Sequence, residues 1–197
     1  MRAGVLHEKI GLLLGFVPLI VYGLLAGKTV QSVIFALGAA TAVTLIAGYS
    51  DLRKGMILTW ATFVLFGGGF VAVAIVGVTE IIPWMGVVVY AVLAAVTFGS
   101  MAVGLPFTLQ YARAMVDRSL WEKPGFIRVN QIMTGVWGAA FAINLLLSYF
   151  VLTVPGFPGG MATLLTYGVL AAGIVFTLWY PGHVRRRYSS REGQETP

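Results

Sequence analysis

The sequence predicts an all-α integral membrane protein, a six-transmembrane-helix bundle with a cytoplasmic-side interfacial helix between helices 4 and 5. Three observations carry that prediction. The 197 residues are 58% hydrophobic and only 10% charged, whereas soluble domains are about half apolar and about a quarter charged. Six stretches approach the roughly 20 apolar residues that a helix needs to cross a hydrocarbon core of about 30 Å. The basic residues then fall almost entirely on one side of the membrane that those six crossings define.

The first stretch, 10–26, is longer than the apolar core of a signal peptide, and "YGLLAGKTVQ" makes a poor cleavage site, so a retained helix is expected. The second and third, 30–48 and 57–78, enclose the basic loop around Arg53 and Lys54. The fourth, 81–104, follows the short turn "VTE" and should kink or end at Pro106. The fifth, 131–154, and the sixth, 161–180, are joined by "PGFPGG", too small to host a site. All are expected as helices, because an open strand would leave backbone groups unpaired in lipid. One transmembrane domain, 1–183, is followed by a basic and polar cytoplasmic tail, 184–197. A faint internal echo between the two loop-and-Trp regions is what alternating helix pairs produce by default.

Lys and Arg are retained on the cytoplasmic side during insertion. Six crossings place Arg2, Lys9, Arg53, Lys54, Arg113, Arg118, Lys123, Arg128, Arg185, Arg186, Arg187 and Arg191 on one side and Lys28 alone on the other. Both termini are therefore expected in the cytoplasm, at the inner membrane. The net charge of +6 reads as a basic face against anionic lipid headgroups, not as a nucleic-acid surface.

The segment 105–130, "LPFTLQYARAMVDRSLWEKPGFIRVN", is the one long stretch that is not oily. Over 106–121 its spacing is amphipathic: Tyr111, Ala112, Met115 and Val116 share one side, and Gln110, Arg113 and Asp117 the other. Trp121 and Phe126 add aromatic anchors, and "KPG" turns the chain before the fifth helix. An interfacial helix follows, with Arg113, Arg118, Trp121, Lys123 and Arg128 at the headgroups. Simple anchoring of the bundle and binding of a lipid or protein partner explain that segment equally well. "SLWE" fits a capping box, but no apolar run follows it.

Inside the crossings there is no Asp, Glu, Lys, Arg or His, the groups that usually mark an ion-coupled pathway. Gln110, Asn130, Asn144 and Ser148 are the candidate polar or cavity residues of the bundle core. Asn144 and Ser148, four apart, are expected to hydrogen-bond between helices, at about 1 kcal/mol each. Gly11, Gly15, Gly23 and Gly27, in two small-xxx-small pairs, and Gly67, Gly68 and Gly69 of "FGGGF" are expected at helix contacts, with an unwound, substrate-binding break at 66–70 as the alternative.

Cysteine is absent, which removes thiolate and disulfide chemistry. A cytoplasmic-edge enzyme site could be drawn from His7, Asp51, Tyr111, Asp117 and His183, but no metalloprotease, paired-Asp or nucleophile motif supports it. Neither histidine lies within a crossing, where a transmembrane haem would need it. No catalytic residue, metal or cofactor is expected.

"GFVPLIVYGLLAGKTVQSVIFALGAATAVTLI", "ILTWATFVLFGGGF" and "RVNQIMTGVWGAAFAINLLLSYF" together resemble the inner-membrane septation protein A family. Pro18, the region 62–68, Asn130, Trp137, Phe141 and Asn144 carry the likeness, over about the first 150 residues. The resemblance implies a small multi-pass protein acting in division and envelope maintenance through protein contacts, without catalysis. "PFTLQYARAMVD" departs from the family pattern, which has a shorter loop there. The first expectation for function is thus a non-enzymatic membrane scaffold or interaction protein of the cell envelope, with other membrane proteins or a second copy as partners. A small carrier or flippase for a neutral or lipidic solute is the second, and a cytoplasmic-edge lipid-modifying enzyme the third.

Overall fold

Every regular element in the computed structural model is helical; it describes the backbone of residues 15–192 and the side chains of residues 15–184. In chain order these are α1 (Val17–Leu25), α2 (Val30–Ala47), α3 (Tyr49–Arg53), α4 (Ile57–Phe70), α5 (Met85–Ala102), α6 (Phe107–Arg113), α7 (Pro124–Thr153) and α8 (Gly159–Glu192). A π turn over Val71–Val76 extends α4, and 3₁₀ turns occupy Thr79–Trp84 and Arg118–Leu120.

Among the described residues, five helices are long and apolar enough to cross a membrane: Val30–Ala47, Ile57–Val76, Thr79–Ala102, Pro124–Thr153 and Gly159–Val184. The chain is a multi-pass membrane protein. Of the stretch expected at 10–26, α1 is the described part. Its 9 residues span only about 14 Å at 1.5 Å per residue. Its proline sits in the first turn, where no hydrogen bond is lost. The positions before residue 15, with Arg2, His7, Lys9 and Gly11, lie outside the described residues.

The fifth spanning helix on this count runs through Pro181 without ending, past the expected limit at 180. Likewise α7 starts at Pro124, seven positions before the expected 131, because proline at its start sets the helical φ.

Side-chain packing follows the sequence more closely than the helix ends do. Trp137 of α7 stacks on Phe16 with centroids 4.1 Å apart and lies over Gly173 of α8. Its indole N–H donates to Thr177 Oγ1 at 3.0 Å. Phe141 and Phe66 complete a buried aromatic centre.

The glycines divide. Gly69 and Gly67 admit Leu37 and Thr41 of α2, whereas Gly68 meets no neighbour. The break considered at 66–70 does not occur, since α4 stays helical there and the irregular turn comes just after it. Gly15 is buried, and Gly23 faces Tyr167 of α8, whose hydroxyl donates to the Gly23 carbonyl at 3.0 Å. Gly27 is not a helix contact: it lies past the end of α1, where its N–H donates to Ser32 Oγ at 3.1 Å.

Candidate functional site at the basic end of the bundle

Two loops meet at one end, and glycine closes the helix before each of them in the same way. After α3, Gly55 adopts φ 70°, with Gly55 N–H donating to Leu52 O and Met56 N–H to Asp51 O. After α5, Gly104 adopts φ 75°, with Gly104 N–H donating to Met101 O and Leu105 N–H to Ser100 O. Both are Schellman endings, which need a left-handed residue that glycine supplies without a Cβ clash. They turn the chain sharply enough for residues 54–57 to face residues 107–113.

The second loop then enters the bundle. Phe107, Thr108, Leu109 and Tyr111 of α6 are all buried. Phe107 N–H donates to Ser100 Oγ at 3.1 Å. Thr108 Oγ1 donates to Asn130 O at 2.9 Å and is 2.8 Å from Thr134 Oγ1. A hydroxyl has one proton, so Thr134 is the donor of that pair. Tyr111 Oη and Thr59 Oγ1 lie 2.8 Å apart. Gln110 Oε1 accepts from Ile57 N–H at 2.9 Å, satisfying one of the amides left open at the start of α4.

This corrects the expectation of an interfacial helix over 106–121. The helix stops at Arg113, and Tyr111, expected on its lipid side, is 2% exposed. In α6, Phe107, Thr108, Leu109 and Tyr111 are buried and Gln110, Ala112 and Arg113 half-buried, and Thr108, Gln110 and Tyr111 bond to α7 and α4 in place of water. Beyond it, Met115 and Val116 are half-buried, and Asp117 caps the turn at 118–120 by accepting from Ser119 N–H at 2.9 Å, so "SLWE" is not the cap.

Between the two loops lies a cavity of about 230 Å³ lined by Lys54, Met56, Gln110, Arg113, Ala114 and Trp121. Arg113 Nε and Trp121 Nε1 are shielded from solvent with no hydrogen-bond partner among the described residues. Leaving such a donor buried and unpaired costs about 1–3 kcal/mol. The Arg113 guanidinium sits 5.4 Å and the Arg118 guanidinium 5.6 Å from the Trp121 ring centroid, within the range of cation–π attraction. Of the five expected headgroup residues, Arg113 and Trp121 line the cavity and Arg118 covers the ring, while Lys123 and Arg128 are exposed outside it.

A second, smaller cavity of about 10 Å³ is bounded by Thr44, Gly48, Asp51, Thr59 and Thr62, near the lower limit for one water. Burial pushes the Asp51 carboxyl above its ordinary pKa, against the opposing pull of Lys54. Burial also pushes Tyr111 up to about 12, with the Thr59 hydrogen bond acting the other way. The hydrogen bonds from Ser119 hold Asp117 below the usual carboxylate range.

The remaining candidates are scattered. Asn130 is buried and its Nδ2 donates to Phe126 O at 2.9 Å within α7. Asn144 is fully buried, but neither Nδ2 nor Oδ1 has a partner among the described residues, so the expected interhelical hydrogen bond is not formed there. Ser148 packs on Gly86 of α5. His183 stacks on Trp179 with centroids 4.7 Å apart, and among the described residues no three His, Asp or Glu side chains form a metal-binding group. Sequence reasoning missed Lys54 and Met56 as cavity walls and Thr59 and Thr134 as partners of Tyr111 and Thr108 of α6; the paired glycines at 55 and 104 were the available signal. No family model, curated protein or solved structure matches this chain.

Proposed function

We propose that this chain is a non-enzymatic multi-pass scaffold or interaction protein of the cytoplasmic membrane, of the septation and envelope-maintenance kind, with six crossings and both termini in the cytoplasm. The observation that carries the reading is the uncharged interior. The buried polar residues among those described are threonines, one serine and two asparagines, with no charged side chain. Several of the hydroxyls donate to carbonyls of their own helix, as Thr44 does to Ala40 O and Thr97 to Leu93 O. Such a core supplies helix packing and offers no ionisable group for coupling a flux.

The sixth crossing is supported by α1, which packs against α2 as a preceding antiparallel helix would. The cytoplasmic assignment rests on Arg53, Lys54, Arg113, Arg118, Lys123 and Arg128 lying in loops or near helix ends at one end of the bundle, with Lys28 at the other. The resemblance to septation protein A supports action through protein contacts. A photo-crosslinking residue at Leu164 or Trp179, both exposed on α8, tests this in living cells. Capture of one defined membrane protein, or of a second copy, is expected; crosslinks to lipid alone at every exposed position of α8 would contradict the scaffold reading.

Asn144 favours a carrier as the second reading, since an unpartnered amide in the bundle is suited to a neutral polar solute. Solute or lipid flux in proteoliposomes that is lost in a well-folded Asn144→Leu variant would promote it.

A further inference from the structure

We propose that the cavity between Lys54 and Trp121 is a binding site for one phosphate group, carried either by a lipid headgroup or by a small soluble phosphate. The chemistry of its lining points there. Lys54 and Arg113, which both line it, are cationic and can only donate. Gln110 adds to this, because its Oε1 is engaged by Ile57 N–H, leaving the amide nitrogen for the cavity. No carboxylate is among the lining residues that are described. Asp51 faces Lys54 from α3 without lining the cavity, and Asp117 and Glu122 are exposed.

Lys54, after α3, and Arg113, at the end of α6, bring cationic donors to the cavity from two separate segments, so an anion between them can be held from two sides. The Arg113 fork can take two phosphate oxygens at once, and Lys54 a third as a point charge. Arg113 and Arg118 also crowd one indole ring, and an anion would offset that concentration of positive charge. The site belongs to the folded chain, since the Gln110–Ile57 and Tyr111–Thr59 hydrogen bonds hold its two walls together. This assignment stands independently of whether the bundle is a scaffold or a carrier.

The test uses the full-length protein in a neutral detergent, with retention of dioleoylphosphatidylglycerol read by native mass spectrometry against dioleoylglycerol, which lacks the phosphate. Lys54→Gln removes one cationic donor of the lining while leaving a neutral polar side chain, and is expected to weaken retention about tenfold, the effect of one charge-assisted hydrogen bond. Arg113→Gln should weaken it further, whereas Lys123→Gln and Arg128→Gln, outside the cavity, should leave it unchanged.

Inorganic phosphate distinguishes the source. Displacement of the lipid by millimolar phosphate marks a site for the free anion, and no displacement, with retention still lost in both cavity variants, marks a lipid site. Equal loss in Lys123→Gln and Arg113→Gln, or full retention in Lys54→Gln and Arg113→Gln, would overturn the assignment, because either result describes a diffuse basic face. Lys54→Gln keeps the test decisive if Arg113→Gln fails to fold.

Discussion

Tyr111 and Thr59 stand 52 positions apart in the chain and share a buried hydrogen bond of 2.8 Å. That contact ties α6 to the start of α4. A segment whose composition suits the membrane surface is thereby drawn into the bundle, where it forms one wall of the cavity beside Arg113 and Trp121.

Tyr111→Phe is expected to lower stability in detergent by about 1 kcal/mol, the scale of one buried hydrogen bond. Thr59→Val should cost a similar amount, and the double variant about as much as either alone, since both remove one contact. Thermal unfolding of the four proteins checks this, and fully additive losses would mean that the two residues act separately.

Gly173→Ala should destabilise by about 1–3 kcal/mol through overpacking. A Cβ there would lie 3.3 Å from the Trp137 ring, which cannot retreat between Phe16 and the Thr177 hydroxyl. Gly168→Ala on the same helix, where a Cβ meets nothing within 4 Å, should change stability by no more than about 0.5 kcal/mol. The difference in melting temperature between the two variants is the readout.

For Asn144 the structure reverses the direction expected from the sequence. Because neither amide atom has a partner among the described residues, Asn144→Leu removes a desolvation cost without breaking a hydrogen bond seen there, and the variant should be as stable as the parent or more so. A loss of about 1 kcal/mol would show that Asn144 is satisfied by a water or a solute.

Asp51 gives a pH test. Burial raises its folded pKa, so the folded chain holds the proton more tightly than the unfolded chain does. The contribution of Asp51 to stability is then unfavourable at neutral pH and is relieved as pH falls through the raised value. Asp51→Asn should therefore stabilise the protein at pH 7, with its advantage shrinking toward pH 4. An advantage that grows on acidification would contradict the burial. Asp117 carries the opposite sign, since its pKa is lowered by Ser119: its contribution is present above the ordinary carboxylate range and fades as pH falls below it.

The helical bundle was legible because lipid-compatible length and the spacing of basic residues act over whole segments, and single side chains hardly alter them. The position of α6 was not. Periodicity identifies an apolar face, and Tyr111, Met115 and Val116 formed one, but lipid and protein interior attract the same side chains. What decided between them was polar pairing across the fold: Thr59 with Tyr111, Thr108 with Thr134, and Gln110 with Ile57. None of those pairs has a local signature. Arg113, Arg118 and Trp121 were found as a group because like charges and an indole cluster in the chain, whereas Lys54 reaches the same cavity only through the turns at Gly55 and Gly104.

The absence of cysteine makes the central claim, a membrane bundle whose basic end faces the cytoplasm, directly measurable. Ser119 and Pro155 are exposed in loops at opposite ends of α7. Single cysteines placed there can be labelled in intact cells with a membrane-impermeant maleimide. Cysteine at 155 should react from outside, and cysteine at 119 only after the membrane is permeabilised. Labelling of 119 in intact cells, or protection of 155, would contradict the topology and with it the placement of the Lys54–Trp121 cavity at the inner leaflet.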